Sequence, residues 1–470
     1  MTKNEKIKEQ FDRLADKRDY WKNKNRFYYS VLESFVSFLV PQNKRVLEVG
    51  CGTGDLLAKL RPSHGVGIDI SSRMVEIARR KYPDGNLAFR VKNVSELSEK
   101  FDYIVVSDTI GYLDDVEDFF RQLRKLIEPN VRVVITQYSQ LWEPVFNLAS
   151  VVRMRMPSPD QNWLSKNDIE NFLSIAGLEV IKKGSKILIP KYIPLLSKIS
   201  NRYLVNLPIF KSLGTVNYFV ARPVLFNKIP NPSVSIIVPA RNEVGTIIDI
   251  VNELPQIGKN TEIIFIEGHS TDNTLDEIKK ALAIKIQGKS IRYAVQDGKG
   301  KGDAVRKGFD MATGDILVIY DADMTVPPKE VEKFYRLIAE GCCDFANGSR
   351  LVYPMEKQSM RTLNYIGNKF FSIVFSWLLE QKIKDTLCGT KALWKRDYEE
   401  IKRNRKFFGN FDPFGDFDLL FGAAKINLKI IDVPVHYRDR KYGATNISRW
   451  KHGWLLLKMA FFAMKKIKFI

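Results

Sequence analysis

The most constraining feature of the sequence is a glycine-rich turn between an apolar run and a helical segment. Residues 44–60 read KRVLEVGCGTGDLLAKL, in which Gly50, Gly52 and Gly54 follow a short β-branched and apolar run. Glycine has no Cβ, so such a turn bends tightly and lets a ligand approach the backbone closely. The next apolar run, GVGID, ends in Asp69, and a carboxylate at the tip of a second strand can accept hydrogen bonds from ribose hydroxyls. The pattern predicts a Rossmann-like domain that binds a nucleoside.

The residues around this turn extend the pattern in chain order. Glu48 stands before the turn, and FDYIVVSDTIGYLDD at 101–115 lies at the distance expected for a fourth strand. The combination resembles the class I S-adenosylmethionine-dependent methyltransferases over roughly residues 1–223. The resemblance implies an α/β fold with a seven-stranded sheet, closed by GLEVIKK and TVNYFVARP, and an inserted helical cap at 190–213. It implies S-adenosyl-L-methionine as cofactor, bound by Glu48, Gly50, Gly52, Gly54, Asp69, Asn93 and Asp108.

The methyl acceptor is not evident from the sequence. Methyl transfer from a sulfonium needs chiefly alignment of the nucleophile, carbon and sulfur, so a general base is optional. Asp108, Tyr112, Trp142 and Trp163 lie on candidate acceptor loops, although aromatic residues in such loops usually serve packing. A domain that binds the cofactor without catalysing a reaction is the alternative.

A second series of strand–turn–helix units follows a stretch rich in proline and asparagine. The composition predicts a linker at 224–231 and a second domain at 232–470. One apolar run of this domain ends in DAD, which places Asp321 and Asp323 on the same side of a strand end. Two such carboxylates can hold Mg²⁺ or Mn²⁺, which would neutralise a diphosphate leaving group.

The order of motifs around DAD is more specific than DAD alone. IVPARNE, EGHSTDNT and GKGKGDAVRKGF precede it, and DTLCGTKALWKR and VPVHYRDRKYGATNISRW follow it. This order resembles the family 2 glycosyltransferases with a GT-A type fold, and among them the dolichyl- and polyprenyl-phosphate glycosyltransferases. The resemblance implies a nucleotide-sugar donor and a polyprenyl-phosphate or glycan acceptor.

The same resemblance implies roles for single residues. Asp321 and Asp323 would hold the metal, and Lys301 and Asp303 would lie near the donor. The base and ribose would be bound by Pro239, Ala240, Glu243 and Glu267. The phosphates would face Arg350, Arg361 and Arg438, and a hydroxyl acceptor would require a base, for which the candidates are Asp416 and Asp418.

The positive charge of the chain is concentrated in two stretches. The formal net charge is +20, and residues 181–230 contain nine basic residues and no acidic one. Residues 436–470 contain nine basic residues and one acidic residue. Both stretches accompany apolar segments and no nucleic-acid motif, so we expect an anionic membrane surface as a partner and no nucleic acid.

The C-terminal segment is a candidate for membrane contact. RWKHGWLLLKMAFFAMKKIKFI at 449–470 is too charged to span a bilayer, but its apolar residues recur at helical spacing. A core helix packed on the catalytic domain is the alternative, and one face can pack on protein while another meets lipid. KFFSIVFSWLL at 369–379 is a second candidate.

These patterns predict a bifunctional enzyme on the cytoplasmic face of a membrane, bound peripherally. The charged N-terminal residues do not form a secretory signal, and the four cysteines form no metal-ligand or disulfide pattern. The second domain would transfer a sugar to a polyprenyl phosphate, and the first would methylate a sugar, glycan or lipid-linked intermediate. Transfer to a hydroxyl of a surface polysaccharide is the alternative.

Overall fold

The structure is a computed structural model that describes residues 3–83, 85–224, 230–353, 362–405, 416–442 and 449–469. For residues 3, 362–366, 416 and 449–452 it describes the backbone alone. The chain divides into two compact units, of which the first runs to Val224 and the second from Leu225 to Lys468.

The first unit is built on a seven-stranded sheet with the strand order β3-β2-β1-β4-β5-β7-β6. Only β7 among these strands runs antiparallel to its neighbours, β5 and β6. This topology confirms the predicted class I methyltransferase sheet. The strands are β1 (Arg45–Val49), β2 (His64–Asp69), β3 (Leu87–Val91), β4 (Tyr103–Ser107), β5 (Arg132–Tyr138), β6 (Leu178–Lys186) and β7 (Val216–Pro223).

Helices cover both faces of this sheet, because its central strands are apolar on both sides. One core packs β-branched side chains against α6 and α8, and the other packs them against α3, α4 and α5. Ser71 and Asp115 begin α5 and α6 by accepting a hydrogen bond from a backbone N–H of the first turn. The helices are α1 (Lys3–Leu14), α2 (Arg18–Lys24), α3 (Arg26–Leu39), α4 (Asp55–Leu60), α5 (Ser72–Lys81), α6 (Val116–Lys125), α7 (Glu143–Val151), α8 (Lys166–Ile175) and α9 (Leu196–Arg202).

The second unit contains another seven-stranded mixed sheet, with the order β10-β9-β8-β11-β13-β12-β14. β13 runs antiparallel to β11 and β12, whereas the other pairs are parallel. The arrangement confirms the predicted GT-A type fold. The strands are β8 (Val234–Ala240), β9 (Thr261–Glu267), β10 (Lys289–Val295), β11 (Ile316–Ile319), β12 (Phe345–Ser349), β13 (Lys391–Trp394) and β14 (Ile430–Pro434).

The helices of the second unit pack on this sheet and on one another. A large core joins β8, β9 and β11 to α10, α11 and α13. None of the helices within the described ranges combines the length and apolar character needed to cross a bilayer. The helices are α10 (Ile247–Glu253), α11 (Thr274–Ala281), α12 (Lys301–Met311), α13 (Val331–Ala339), α14 (Thr362–Leu379), α15 (Lys395–Arg403), α16 (Asp416–Lys425) and α17 (Arg449–Ala463), which a π-helical turn, Met464–Lys468, extends.

Candidate active sites

A cavity of about 440 Å³ lies at the carboxyl ends of the parallel strands in the first unit. Its volume is within the range of small-molecule sites. Its walls include residues from the ends of β1 to β5 and from the N-terminal helices. The predicted cofactor residues that line it are Gly50, Gly52, Asp69, Asn93 and Asp108.

The turn after β1 is tied to the tip of β2 through Asp69. The N–H groups of Gly52 and Ser71 each donate to the Asp69 carboxylate, at 2.9 Å. Gly52 has a φ of +50°, and a Cβ on it would meet open space on the cavity side. Burial raises the pKa of Asp69, while these two N–H groups and Arg18 act against the rise. The turn is therefore fixed in a shape that leaves its backbone open to a ligand.

Glu48 and Gly54 contact residues next to the turn and do not line the cavity. The Glu48 carboxylate accepts a hydrogen bond from the N–H of Leu57, in the first turn of α4, at 3.0 Å. Burial raises the pKa of Glu48 to about 8, although Lys22 and this hydrogen bond lower it. A Cβ on Gly54, at a φ of +83°, would lie 2.8 Å from the ring of Phe89. Both residues thus shape the turn, and their direct contact with a cofactor remains a prediction.

Asp108 follows β4 and carries a strained backbone. Its φ of +51° is unfavourable for a residue with a Cβ, a feature that is concentrated at functional sites. Tyr28 donates from its hydroxyl to the Asp108 carboxylate at 3.0 Å, and Thr136 does so at 3.4 Å. Burial raises the pKa of Asp108, while Tyr28 and Arg155 oppose the rise.

The cavity end near Asp108 is aromatic and cationic, and most of its residues were not predicted from the sequence. Arg155 lies over the rings of Tyr138 and Phe146, at 4.6 and 5.3 Å from their centres. Arg18 lies 5.6 Å from the ring centre of Tyr29. The aromatic run FYY at 27–29 was the available signal in the N-terminal segment.

The four candidate acceptor-loop residues separate into two groups. Asp108 and Tyr112 line the cavity. Trp142 instead donates from Nε1 to the carbonyl of Leu213 at 2.9 Å, and Trp163 stacks on Phe146. The two tryptophans therefore serve packing.

In the second unit, Asp321 and Asp323 follow β11 and are paired with different cations. The ammonium of Lys301, at the start of α12, lies 2.5 Å from the Asp321 carboxylate. Burial alone would raise the pKa of Asp321, but Lys301, Lys391 and Arg350 hold it below its ordinary value. Asp321 is therefore held ionised and ready to act as a ligand.

Asp323 is linked to Glu243 through a guanidinium that sequence reasoning missed. Arg440 donates to Asp323 Oδ2 at 2.9 Å and to Glu243 Oε1 at 2.8 Å. Burial and the neighbouring Asp321 raise the pKa of Asp323, and burial raises that of Glu243 to about 7. Arg440 stands two residues after Arg438 in HYRDRK, and nothing local distinguishes the two. The backbone N–H of exposed Arg438 donates to the carbonyl of Thr325.

Hydrogen-bond acceptors are concentrated at and after the ends of β8 and β9. Glu243 Oε2 and Asp272 Oδ2 are buried without a hydrogen-bond partner among the described residues. Glu267 accepts from the N–H of Ser270 at 2.6 Å, and Ala240 accepts from the N–H of Gly268. Pro239, beside Ala240, belongs to the end of β8. Asp272 lies in the EGHSTDNT motif, where only Glu267 had been assigned.

Two glycine turns close around the Asp321 site. Asp303 accepts from the N–H of Gly298 at 2.8 Å and so fixes the loop that leads into Lys301. A Cβ on Gly389 would lie 2.0 Å from Asp321 Oδ2 and 2.1 Å from Lys301 Nζ. The CGT turn therefore approaches Asp321 as closely as a backbone can.

The remaining predicted residues are paired or undescribed. Arg350 forms a two-pronged, buried pair with Asp385, at 2.8 and 3.0 Å, so a role for it toward a phosphate remains a prediction. Asp418 lies 3.6 Å from Arg306 and 3.7 Å from Arg405. Arg361 and the side chain of Asp416 lie outside the described residues.

Comparison with known proteins finds one matching family model within each unit. Residues 20–183 match the model of a methyltransferase domain, and residues 235–417 match that of glycosyl transferase family 2. The chain joins a methyltransferase domain to a family 2 glycosyltransferase domain. Both predicted enzyme classes are thereby confirmed.

Curated relatives match one domain at a time. Glycosyltransferase AglJ of Haloferax volcanii is 27% identical over 48% of this chain and 71% of its own length. The dolichol-phosphate mannosyltransferase of Pyrococcus furiosus is 31% identical over 46% of this chain and 59% of its own length. The methyltransferase domain is 30% identical to the ubiquinone/menaquinone biosynthesis C-methyltransferase UbiE of Geotalea daltonii, over 29% of this chain and 65% of that protein. The chain spans 33% to 71% of the first four glycosyltransferase relatives.

Proposed function

We propose that the chain is a bifunctional enzyme of lipid-linked glycan synthesis. Its second unit transfers a sugar from a nucleotide-sugar donor to a polyprenyl phosphate. Its first unit transfers a methyl group from S-adenosyl-L-methionine to a sugar, glycan or lipid-linked intermediate. The observation that carries the proposal is the charged site at the end of β11, where Asp321 and Asp323 meet Lys301, Arg440 and Glu243.

The two carboxylates fit a divalent cation that is held jointly with the donor. Among the described residues, three or more His, Cys, Asp or Glu side chains nowhere gather into a metal site. Mg²⁺ is commonly bound by one or two carboxylates together with substrate phosphates, and Asp321 and Asp323 supply that number. Asp321 and Asp323 would hold Mg²⁺ or Mn²⁺, which would supply positive charge for the leaving diphosphate. Arg440 must release Asp323 Oδ2 when this oxygen becomes a ligand.

The chain's own groups supply the rest of the donor site. The orphan oxygens of Glu243 and Asp272 are acceptors for N–H or O–H groups of the nucleoside. Lys301, beside Asp321, would supply a positive charge for a phosphate oxygen of the donor. The Gly389 turn keeps Asp321 in place from the other side.

A phosphate acceptor fits the described site better than a hydroxyl. A phosphomonoester has a second pKa of about 6, so near neutral pH it is a nucleophile that needs no protein base. Asp418, one candidate base, is engaged by Arg306 and Arg405. The name of the Pyrococcus furiosus relative refers to the same acceptor chemistry, a dolichol phosphate.

The cavity of the first unit fits S-adenosyl-L-methionine. Gly50 and Gly52 expose backbone to the cavity, and Asp69 presents a carboxylate where ribose hydroxyls would bind. Asp108, Tyr138 and Arg155 then face the methyl end and orient the acceptor. The protein's contribution to methyl transfer is alignment and exclusion of water.

The donor proposal is tested by turnover with a panel of nucleotide sugars in the presence of Mg²⁺ or Mn²⁺. We expect Asp321→Asn to lower turnover about 10²- to 10³-fold, because the leaving diphosphate loses its charge compensation. The exposed Asp297, paired with Lys307, provides the control Asp297→Asn, which should leave turnover unchanged. Full turnover in chelator, or in Asp321→Asn, would refute the metal role.

The cofactor proposal is tested by calorimetry with S-adenosylhomocysteine. Gly52→Ala forces a Cβ into the cavity at an unfavourable φ, and Asp69→Ala removes the ribose acceptor. We expect both variants to lose binding at least about tenfold. Gly85→Ala, at another turn with open space, is the control. An unmodified protein that does not bind S-adenosylhomocysteine would rule out this cofactor.

A further inference from the structure

Helix α9 of the first unit buries polar side chains and exposes apolar ones. In α9, Ser197 and Asn201 are buried, whereas Leu196 and Ile199 are exposed. A helix on the surface of a protein in water has the reverse arrangement. The outward side of this helix therefore carries apolar side chains together with the exposed cations Lys198 and Arg202.

Hydrogen bonds fix this orientation. Asn201 accepts from the N–H groups of Leu188 and Ile189, at 2.8 and 2.9 Å, and donates to the Ile189 carbonyl. Asn206 accepts from the ammonium of Lys186 at 2.7 Å. Turning the apolar side inward would leave these buried polar groups unpaired, at a cost of about 1–3 kcal/mol each. The outward apolar side is thus a fixed feature of the fold.

The exposed apolar residues form a continuous run and extend beyond α9. Residues 192–196, YIPLL, are all exposed. So long a run of exposed apolar residues is unfavourable on the surface of a soluble protein unless it has a function. The exposed fraction is 74% for Leu195 and 81% for Ile209. We name the exposed apolar side chains of 192–213, together with those of 141–154, the apolar face.

The second part of the apolar face lies on and after α7. The exposed fraction is 63% for Leu148 and 80% for Val151. The indole of Trp142 donates to the carbonyl of Leu213 at 2.9 Å, so the two parts are joined directly. A combined exposed patch of this kind marks an interaction site.

The charge around the apolar face is predominantly positive. Residues 20–32 contain three basic residues and residues 181–230 contain nine, with no acidic residue in either stretch. Residues 141–159 contain two basic residues and one acidic residue, Glu143. The first stretch touches both parts of the face: Lys24 donates to the carbonyl of Arg153, and the ring centre of Phe27 lies 5.5 Å from that of Tyr192. The exposed cations of these stretches include Lys24, Arg153, Lys198 and Arg202, whereas Lys182, Lys186 and Arg222 are buried. Exposed apolar side chains accompanied by exposed cations complement an anionic lipid surface.

We propose that the apolar face docks the methyltransferase unit on an anionic bilayer. The apolar face belongs to the first unit, whereas α17 belongs to the second. Residues 141–154 continue directly into Arg155, Met156 and Ser158, which line the cavity. Docking therefore holds the methyl-transfer site beside the bilayer, which, resting on the proposed function, favours a lipid-linked methyl acceptor.

The docking is tested on the full chain with a fluorophore that reports an apolar environment. The fluorophore is attached at Leu195→Cys or, as a control, at Ile175→Cys on α8, in a Cys342→Ser background because the other three cysteines are buried. Ile175 is 61% exposed and lies outside the apolar face. With phosphatidylglycerol–phosphatidylcholine vesicles, we expect a blue shift and quenching by spin-labelled acyl chains at position 195, and neither at 175.

A binding measurement complements the fluorescence. We expect Leu195→Ser with Ile209→Ser to lower partitioning onto these vesicles about tenfold, while Ile175→Ser leaves it unchanged. Binding of S-adenosylhomocysteine should be the same in all variants, so that a failure of docking is distinguished from a failure of the cofactor site. Equal partitioning of the variants, or equal responses at 195 and 175, would overturn the proposal. A vesicle-independent response that rises with protein concentration would overturn it in favour of a second copy of the chain.

Discussion

At the scale of single residues, Gly389 marks how tightly the donor site is assembled. A Cβ at this position would overlap both Asp321 and Lys301. We expect Gly389→Ala to displace the Asp321 carboxylate and to lower sugar transfer at least about tenfold, measured as turnover with a saturating donor. Gly367→Ala on α14, where a Cβ has open space, should have no effect on turnover. Equal activity of both variants would show that the CGT turn does not position Asp321.

Glu48 gives the first unit a pH dependence whose sign follows from its raised pKa. Its folded pKa of about 8 exceeds the unfolded value of about 4.3, so the folded state binds more protons between these limits. Stability therefore falls as the pH rises through this window. Glu48→Gln keeps an oxygen that can accept from Leu57, and we expect its melting temperature to decline less than that of the unmodified protein between about pH 5 and pH 8.

The control for Glu48 is a surface carboxylate. Glu9, half exposed and paired with Arg13, provides Glu9→Gln, which should follow the unmodified protein across the same pH range. Parallel pH curves for Glu48→Gln and the unmodified protein would contradict the assignment of the effect to Glu48.

At the scale of elements, α17 has two different faces. Leu456, Met459, Ala460 and Ala463 are buried, and the helix packs against α14. Trp454, Leu457 and Phe461 are exposed, as are Phe370 and Ile373 on α14. The structure thus has one face of α17 on protein and leaves the other available to lipid, as one of the sequence alternatives allowed.

The two faces predict opposite effects of substitution. Trp454→Ser with Phe461→Ser should weaken sedimentation with anionic vesicles and leave the thermal stability unchanged, because both side chains are exposed. Leu456→Ala should lower the stability of the second unit by about 2–5 kcal/mol, because it removes buried methyl groups. Unchanged sedimentation of the double variant would assign α17 to packing alone.

The sequence predicted the strands and glycine turns because their signals are local. The KRVLEVGCGTG and DAD patterns each combine an apolar strand with the turn that follows it, and both occupy strand ends in the sheets. The covering helices α1 to α3 were missed because their role depends on long-range contacts, such as Tyr28 with Asp108. The Arg440 bridge joins Asp323 and Glu243 across more than a hundred residues, which no local pattern encodes.

Ion pairs and hydrogen bonds also explain why the roles predicted for some charged residues were too simple. A sequence shows that Arg350 is cationic, but not that Asp385 occupies its guanidinium. Likewise, the acidic Glu48 is evident from the sequence, whereas its position beneath the turn depends on the N–H of Leu57. Charge type was predictable at these positions, and charge partner was not.

At the scale of the whole molecule, methyl transfer and sugar transfer can be lost independently, because their candidate sites lie in different domains. The candidate methyl-transfer residues all belong to the first unit, and the candidate sugar-transfer residues all belong to the second. A variant at Asp69 should therefore lose methylation and keep sugar transfer. A variant at Asp321 should lose sugar transfer.

The most direct test is mass spectrometry of the products formed from a polyprenyl phosphate, a panel of nucleotide sugars, a divalent cation and S-adenosyl-L-methionine. With the unmodified chain we expect a glycosylated polyprenyl phosphate, and a methylated form of it or of a glycan elongated from it. The sugar should be absent with Asp321→Asn, and the methyl group alone should be absent with Asp69→Ala. Sugar transfer only to a hydroxyl acceptor, or a glycosylated polyprenyl phosphate formed equally by Asp321→Asn, would contradict the account.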